Sequence, residues 1–384
     1  MTAMHLGVNT LFHVPGDVGG TETYLQAILR SLVDEYQDLS LTLFTHNDND
    51  HVMRDWLGVR SNIDYRCLPV NAHIRPFRIL AEQTLLPFYV KNSGVELLWS
   101  PGYTAPYFSH CPQAVTIHDL QYKKYPQDMR WLERITLDRL VKIACNRCSG
   151  VITVSRFARR EIINSGFASS DKVHAILEGV SPLFAVPVED REIEKELRRQ
   201  IPQDKPFILC VAHTYPHKNV HLLVEAFRHV EKIIPHNLVL VGRPRLGEPE
   251  VEEAIDKLDR PQRLFRLKGG VSFDLLRLLY QKADLFVLPS GYEGFGLPVL
   301  EAMMAGVLVV CSQEASLPEV GGNHAIYAGK LTVQAVADQI VVALEMTAEE
   351  KAERRREAKK WAKGFSWQRS ARETFTILGS MNRA

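Results

Sequence analysis

Ten short apolar runs, separated by segments of helix length, constrain the fold of this 384-residue chain most strongly. The first half contains "HLGVNTL", "LTLFT", "LLWSP", "AVTIHD" and "VITVS", and the second half contains "FILCVA", "NLVLVG", "LFRLKG", "LFVLPS" and "VLVVCS". Strands that are apolar throughout and alternate with helices are typical of parallel sheets covered on both faces. Two such series predict an α/β protein with two doubly wound, Rossmann-like domains.

The boundary between the two series is predicted in residues 178–206. Four prolines and a run of charges replace the strand pattern in this segment. We therefore predict an N-terminal domain over residues 1–185, a C-terminal domain over residues 186–364 and a final helix over residues 365–384.

The composition favours a globular protein, with 46% hydrophobic residues, 24% charged residues and a net charge of +1. A net charge this close to zero argues against a general nucleic-acid-binding protein. The residues after Met1 lack the basic start and apolar run of a secretory signal, and no run approaches the roughly 18 apolar residues that span a bilayer. Six cysteines do not suggest a disulfide framework, so we expect a cytoplasmic protein.

Cys145 and Cys148 form a C-x-x-C pair. A zinc site needs four ligands, and neither a second C-x-x-C nor a histidine pair at ligand spacing accompanies this one. We interpret both cysteines as residues packed at the end of a helix, and we predict no metal site.

A glycine-rich loop follows the first predicted strand. Gly16, Gly19 and Gly20 precede a long amphipathic helix. Glycines let the backbone approach a ligand, and a helix N-terminus offers N–H groups to an anion. Neither a P-loop nor a complete dinucleotide fingerprint is present. A phosphate or sugar contact and a plain tight turn both remain open for this loop.

Two further loops carry polar groups at the carboxyl ends of predicted strands, where open parallel sheets bind ligands. His118 ends "AVTIHD" and would either polarise a substrate hydroxyl or lie on the surface beside a helix-capping Asp119. His213, His217 and Lys218 follow "FILCVA" and precede an amphipathic helix. We favour anion binding there over a solvated turn, with the histidines adding charge or hydrogen bonds.

The stretch "PSGYEGFGLPVLEAMMAG" places Glu293 and Glu301 around a glycine-rich bend. Pro298 suits the start of a helix and Gly306 suits its end. The N–H groups of residues 295–299 would then be available to a diphosphate. Glu301, predicted in the first turn, would either interact with the helix dipole, worth about 0.3–1 kcal/mol, or accept hydrogen bonds from a vicinal diol such as a ribose.

Together these motifs resemble the retaining nucleotide-sugar glycosyltransferases of family 4, which have the GT-B fold. The resemblance rests on "YEGFGLPVLEAMMAG", on "VSFDLLRLLYQKADLFVLPS" before it, on "SLPEVGG" after it and on "YPHKN", with "GGTET", "TIHD" and "FSWQRSA" also fitting. It covers nearly the whole chain and comes nearest to a mannosyltransferase-like group. It implies two domains facing a central cleft, an acceptor side in the first domain, a donor side in the second, and a C-terminal helix that crosses back to the first.

The resemblance implies side-chain roles around the reacting sugar. Glu293 would contact the hydroxyls of the donor sugar, Lys218 would meet the diphosphate, and His118 would lie beside the reacting sugar. Glu301 would bind the ribose. Many members carry an arginine just before the lysine, and this chain has His217 there, which leaves the charge of the diphosphate site in question.

The resemblance also implies contacts made by the backbone. Phe295, Gly296 and Leu297 would line the sugar–diphosphate, and Gly19–Gly20 would lie against it from the first domain. The backbone at Val271 would read the base.

The implied activity is retaining transfer of a hexose from a UDP-sugar or GDP-mannose to a glycan acceptor, preferably lipid-linked, in surface polysaccharide assembly. No aspartate-x-aspartate metal motif is visible in the second half of the chain, so we expect no metal and no cofactor beyond the nucleotide-sugar donor. A GT-B epimerase or phosphorylase and a non-catalytic sugar-nucleotide or glycan-binding protein remain alternatives. The missing dinucleotide fingerprint disfavours a nicotinamide dehydrogenase.

Residues 123–160 carry ten Lys and Arg against three Asp and Glu, a net charge of +7. Tyr122, Tyr125 and Trp131 are interleaved with these charges. Solvated helix faces explain this pattern, and so does contact with an anionic membrane, where each basic residue contributes about 1 kcal/mol. A lipid-diphosphate-linked acceptor would favour such peripheral docking on the inner face of the membrane.

Overall fold

A computed structural model describes residues 4–16, 19–202 and 204–381. The chain forms two compact units, one of Met1–Gly179 with Ser366–Ala384 and one of Val180–Phe365. Each unit contains one parallel β-sheet. The prediction of two Rossmann-like domains is therefore confirmed.

The sheet of the first unit has seven strands in the order β3-β2-β1-β4-β5-β6-β7. Its strands are β1 His5–Asn9, β2 Ser40–His46, β3 Ile63–Leu68, β4 Leu97–Ser100, β5 Gln113–Ile117, β6 Gly150–Thr153 and β7 Val173–Ala175. Its helices before the second unit are α1 Gly20–Glu35, α2 Asp50–Leu57, α3 Arg75–Ser93, α4 Gln121–Lys124, α5 Trp131–Arg147 and α6 Arg156–Asn164, with a 3-10 turn over Pro126–Asp128. The strand order reverses direction beside β1, so right-handed crossovers place helices on both faces of the sheet.

The sheet of the second unit has six strands in the order β10-β9-β8-β11-β12-β13. Its strands are β8 Phe207–Val211, β9 Asn237–Val241, β10 Leu264–Leu267, β11 Leu285–Leu288, β12 Leu308–Ser312 and β13 Ile326–Ala328. Its helices are α7 Arg191–Gln200, α8 Val220–Val230, α9 Glu248–Asp256, α10 Phe273–Lys282, α11 Leu297–Ala305, α12 Leu317–Gly321, α13 Val333–Glu345 and α14 Ala348–Ala362, with 3-10 turns over Pro182–Ala185, Pro216–Lys218 and Pro261–Arg263.

Both faces of the second sheet are buried. Ile208 and Cys210 of β8 pack in one apolar cluster with α8, α9 and α13, and Leu209, which points to the opposite face, is equally inaccessible to solvent. Strands of this kind carry no polar alternation, which is why the sequence shows them as continuous apolar runs.

The last helix, α15 Trp367–Met381, packs in the first unit. Trp367 makes an edge contact with Tyr24 of α1, and the ring of Phe375 stacks on Tyr36 with centroids 4.0 Å apart. Gly150 at the start of β6 lies against Met381, because a Cβ atom there would come within 1.8 Å of the methionine Cε. Helix α15 therefore packs both against α1 and against the start of β6.

The structure differs from the sequence prediction at three strands and at one boundary. β3, β7 and β13 were not among the predicted runs, and all three are edge strands. β3 is buried only at its two end residues, Ile63 and Leu68, and β7 and β13 have three residues each, so none forms a long apolar run. The first boundary falls between Gly179 and Val180 rather than after residue 185, because Phe184 packs on Phe273 and Tyr280 of the second unit.

Among residues 4–16, 19–202 and 204–381, no helix combines the length and the apolar character that crossing a bilayer requires.

Candidate functional site

The candidate donor-binding residues of the second unit follow successive strands of one sheet. In the sheet order, Val271 comes after β10, His213 to Lys218 after β8, and Glu293 after β11. Parallel strands place these loops along one edge of the sheet. Three strand spacings separate β10 from β11, about 14 Å, so a ligand that reaches from Val271 to Glu293 must be extended.

Lys218 and Glu293 are in direct contact at this edge. The Lys218 Nζ donates to Glu293 Oε2 at 2.7 Å, and the side chains are 21% and 10% exposed. The backbone reinforces the contact, because the Gly291 amide donates to the His217 carbonyl at 2.7 Å. The Asn219 side chain donates to the Pro289 carbonyl at 3.0 Å. The loops after β8 and β11 therefore form one polar surface.

Ser316 fixes the bend that follows Glu293. Its buried hydroxyl lies within hydrogen-bonding distance of the carbonyl oxygens of Glu293, at 2.9 Å, and Phe295, at 2.6 Å. Gly296 next to them has φ 114°, a conformation that glycine adopts at little cost, and Leu297 begins α11. Ser316 begins the "SLPEVGG" motif, whose sequence alone gave no sign that this serine supports the site.

Glu301 lies in the second turn of α11, so its predicted position in the first turn is wrong. The helix begins at Leu297, one residue before the expected Pro298, and its first turn contains no acidic residue. The Tyr280 hydroxyl donates to Glu301 Oε2 at 2.8 Å. Burial, and then the nearby Glu301 carboxylate, raise the pKa of Tyr280 well above its ordinary value, so this phenol stays a donor. Its sequence position, 21 residues before Glu301, gave no signal of the contact.

His217 contributes no positive charge at neutral pH. Its side chain is buried and stacks on Tyr215, with ring centroids 5.6 Å apart. Burial, and then the Lys218 ammonium, lower the pKa of His217 to about 3. The expectation that this histidine adds charge in place of an arginine is therefore wrong, and its hydrogen-bonding capacity is what remains.

His213 joins the loops after β8 and β9. Its Nδ1 accepts a hydrogen bond from the Arg243 amide at 3.0 Å, and the Thr214 amide donates to the Arg243 carbonyl at 3.2 Å. Gly242 permits this approach, since a Cβ atom there would lie 2.0 Å from the Ala212 carbonyl oxygen. Arg243 places a basic residue next to the predicted diphosphate loop, a position that no sequence motif indicated.

Val271 lies between two exposed glycines and the start of α10. Gly270 has φ 83°, and the Arg243 Nε is 4.0 Å from the position that its Cβ would occupy. Ser272 caps α10 by accepting the Leu275 amide. The backbone of Val271 thus lies directly before the capped start of α10.

In the first unit, Gly19 and Gly20 lie where α1 begins. Gly19 has φ 57° and both glycines are exposed. Glu22, in the first turn of α1, accepts a hydrogen bond from the Gly16 amide at 2.9 Å and lies 3.4 Å from the buried His13. Residues 17 and 18 of this loop lie outside the described residues.

His118 follows β5 and is almost completely buried. Its Nε2 donates to the Pro101 carbonyl at 3.0 Å, and its Nδ1 faces the buried Glu178 at 3.7 Å. The rings of Tyr24 and Tyr103 flank the imidazole at 4.9 and 5.5 Å. His118 is therefore a positioned side chain and not the surface histidine of the alternative interpretation. Sequence reasoning missed Glu178, which is 60 residues away in a segment read as a linker.

Cys145 and Cys148 are buried at the end of α5, as packed residues. Burial raises the pKa of Cys145 to about 12 and raises that of Cys148 further. Within the described ranges there is no group of three or more His, Cys, Asp or Glu that could hold a metal ion. Metal independence stays a prediction.

The basic segment 123–160 uses part of its charge inside the first unit. Lys123 pairs with Asp138 at 3.3 Å and lies over the ring of Phe167. Arg159 donates to two backbone carbonyls, and Tyr122 is buried. The interleaving of exposed aromatic rings with the basic residues holds for Trp131, which is exposed, but not for Tyr122.

Comparisons with known proteins identify the family and the fold. The family model "Glycosyltransferase Family 4" matches residues 18–182, and "Glycosyl transferases group 1" matches residues 191–363. O-antigen chain mannosyltransferase B from Escherichia coli is 30% identical over 267 residues, which are 67% of this chain and 68% of that protein. O-antigen chain mannosyltransferase RfbU from Salmonella typhimurium is 26% identical over 62% of each chain, so less than two thirds of that relative is matched.

Among solved structures, that of Anabaena Alr3699/HepE in complex with UDP and glucose superimposes with a TM-score of 0.76 at 19% identity, covering 98% of this chain and 100% of the other. This likeness identifies the fold as GT-B. Together with the two family matches and the 30% identical relative, it shows that the chain belongs to the glycosyltransferases, with a family 4 domain followed by a group 1 domain.

Proposed function

We propose that this protein is a retaining glycosyltransferase that moves a hexose, in the first instance mannose, from a nucleoside-diphosphate sugar to a glycan acceptor in polysaccharide assembly. The observation that carries the proposal is the Lys218–Glu293 contact beside the Gly296 bend. A cation and a carboxylate lie together at a helix start, which suits a ligand that combines a diphosphate with a hydroxyl-bearing sugar. The names of the mannosyltransferase relatives support the choice of mannose.

In this proposal Lys218 stabilises the charge that develops on the departing nucleoside diphosphate. Charge stabilisation of a leaving group is the term that most strongly lowers such a barrier. Glu293 would accept hydrogen bonds from the hydroxyls of the donor sugar. Glu301, which accepts a hydrogen bond from the Tyr280 hydroxyl, would accept further hydrogen bonds from the ribose. The spacing from Val271 to Glu293 suits an extended ligand with the base at one end and the sugar at the other. His118, in the first unit, would orient a hydroxyl of the reacting sugar.

The test is release of the nucleoside diphosphate. Thermal shifts with GDP, UDP and ADP identify the base, and incubation with the matching sugar nucleotide and a panel of glycan acceptors measures transfer. We expect release that depends on the acceptor, with the anomeric configuration of the donor preserved in the product by NMR. Binding without release would make the protein a sugar-nucleotide-binding protein, and conversion of the sugar without an acceptor would make it an epimerase.

We propose a membrane-bound acceptor because of one surface of the first unit. Six apolar side chains of α3, of α5 and of the connection between β4 and β5 are between 57% and 71% exposed, and they are Phe77, Leu80, Phe88, Phe108, Trp131 and Leu132. Arg75 at the start of α3 pairs with Glu133 at the start of α5 at 3.8 Å, which places the two helix ends together. We call this set the α3–α5 surface.

The charges around the α3–α5 surface favour an anionic membrane as its partner. Within α3, which the structure describes completely, the acidic residue Glu82 is buried, whereas Lys91 is exposed and Arg78 half-buried. Arg130 and Arg134 flank Trp131 and Leu132 in the sequence. Apolar side chains with a tryptophan and basic neighbours are typical of helices that lie in the membrane interface.

A further inference from the structure

Helix α3 directs its acidic residue into the interior of the first unit. Glu82 is 5% exposed, its Oε1 accepts from the Asn9 amide nitrogen at 3.2 Å, and its Oε2 accepts from the Thr104 hydroxyl at 2.8 Å. The Asn9 nitrogen also lies 3.2 Å from the Ser100 hydroxyl. Asn9 ends β1 and Ser100 ends β4, so the carboxyl group sits at the ligand-binding edge of the first sheet.

Glu82 holds the chain segment 101–105, which follows β4. Tyr103 in this segment has φ 70°, a strained conformation for a bulky residue that persists only where the surroundings fix it. The Tyr103 amide donates to the Thr116 carbonyl of β5 at 3.0 Å. Gln83, the neighbour of Glu82, donates to the Ala105 carbonyl at 3.1 Å. Two consecutive residues of α3 therefore anchor the far end of the segment.

The same segment determines where His118 lies. The Pro101 carbonyl accepts the hydrogen bond from His118 Nε2, and the Tyr103 ring packs beside the imidazole. A shift of residues 101–104 would move both contacts, because the hydrogen-bonded ring follows its acceptor.

We propose that Glu82 is a positioning residue for His118, acting through Thr104 and the segment 101–105. The placement of His118 follows from the contacts alone, whereas the effect on sugar transfer rests on the proposed function.

The chemistry of Glu82 explains why the position holds an acid. A buried carboxylate is costly unless it is hydrogen-bonded, and the Asn9 and Thr104 donors satisfy the ionised form. Burial raises the pKa of Glu82 to about 7. The titratable groups that act on it or respond to it are Arg78, one turn earlier in α3, and Cys148 at the end of α5. Protonation turns one accepting oxygen of the Glu82 carboxylate into a hydroxyl donor. The hydrogen bond between Glu82 and Thr104 therefore changes near neutral pH.

The test compares two threonine substitutions of equal size. Thr104→Val removes the hydroxyl that Glu82 binds, whereas Thr84→Val removes an exposed hydroxyl of α3 that donates to the Leu80 carbonyl at 2.8 Å. The readout is the ring NMR signal of His118 in protein labelled at histidine, assigned by its loss in His118→Gln. We expect Thr104→Val and Glu82→Ala to shift this signal, and Thr84→Val to leave it in place.

Glu82→Gln keeps the side-chain shape but no longer titrates. We expect the pH dependence of the His118 signal near neutrality to differ between this variant and the wild type. In transfer assays Thr104→Val should lower kcat by about ten- to a hundredfold with little change in the donor KM, and Thr104→Ser should restore it.

An unchanged His118 signal in folded Thr104→Val protein would overturn the positioning role, whether or not the protein transfers sugar. A shifted signal with no transfer by the wild type would support the positioning role and contradict the proposed function instead. The NMR readout does not depend on activity, so the two failures are distinguishable.

Discussion

Lys218 and Glu293, 75 positions apart in the chain, form an ion pair of 2.7 Å at the carboxyl edge of the second sheet. The pair joins the loop after β8 to the loop after β11, and both side chains are largely buried. Removing one partner leaves the other charge buried without its counter-ion, which costs more than the pair itself contributes. The donor-binding roles of these two residues are therefore coupled.

We predict that Lys218→Ala weakens binding of the nucleoside diphosphate and hardly affects binding of the nucleoside. A hydrogen bond to a charged group is worth about 1.5–3 kcal/mol, or roughly ten- to a hundredfold in Kd. Isothermal titration calorimetry with both ligands measures the difference. The single variant also leaves the Glu293 carboxylate without its counter-ion. The double variant Lys218→Ala with Glu293→Gln removes that second effect and isolates the loss of the cation. Equal losses for nucleoside and diphosphate would make Lys218 a structural residue.

We predict that Glu301→Ala weakens binding of the bare nucleotide, whereas Glu293→Ala mainly slows transfer. The reason is that Glu301 faces the proposed ribose position and Glu293 the sugar position. Tyr280→Phe is the matched control, since it removes the hydroxyl that donates to Glu301 and keeps the carboxylate. Calorimetry with the nucleoside diphosphate and with the intact donor distinguishes the roles, and equal loss of nucleotide affinity in both glutamate variants would refute them.

We predict that His217 destabilises the second unit in acid. Its pKa is lowered from 6.5 to about 3 in the folded protein, so the unfolded chain binds a proton that the folded chain refuses. Stability is therefore lost as the pH falls below about 6.5, on the order of 2 kcal/mol by pH 5. Urea unfolding of the wild type and of His217→Gln measures this. The variant should lack that part of the acid dependence, and identical pH profiles would contradict the assignment.

We predict the opposite sign for Glu82. Its pKa is raised from 4.5 to about 7, so the folded protein holds a proton that the unfolded chain releases. This contribution to stability is complete below about pH 4.5 and is lost as the pH rises toward 7, by on the order of a few kcal/mol. Glu82→Gln should gain stability relative to the wild type at pH 8 but not at pH 4, by the same urea measurement. An equal difference at both pH values would rule this out.

We predict that the α3–α5 surface binds anionic vesicles and that salt weakens the binding. Cosedimentation with vesicles of neutral phosphatidylcholine and with added phosphatidylglycerol, at low and high salt, measures it. The double variant Phe77→Ser with Phe88→Ser should bind several-fold less. Val59→Ser is the control, because Val59 is 92% exposed on the same unit but outside this surface. Binding that ignores lipid charge, or no binding, would favour a soluble acceptor.

Much of the fold could be predicted from the sequence because buried parallel strands leave a continuous apolar signal. The ten runs correspond to ten of the thirteen strands in the part of the chain that the structure describes, and the loops between them contain the candidate residues. The edge strands β3, β7 and β13 gave no such signal, since they are short or half-exposed.

The sequence by itself determined which groups stand at the ends of the strands: two glutamates around a glycine bend, a lysine before a helix and a histidine after β5. Only the tertiary structure decided their chemical state. His217 looks like a cation in the sequence and is neutral in the fold, and Glu82 looks like an ordinary helix residue and is a buried carboxyl group with a pKa of about 7. The reason is physical: a pKa depends on burial and on neighbouring charges, and the fold brings those neighbours from distant parts of the chain.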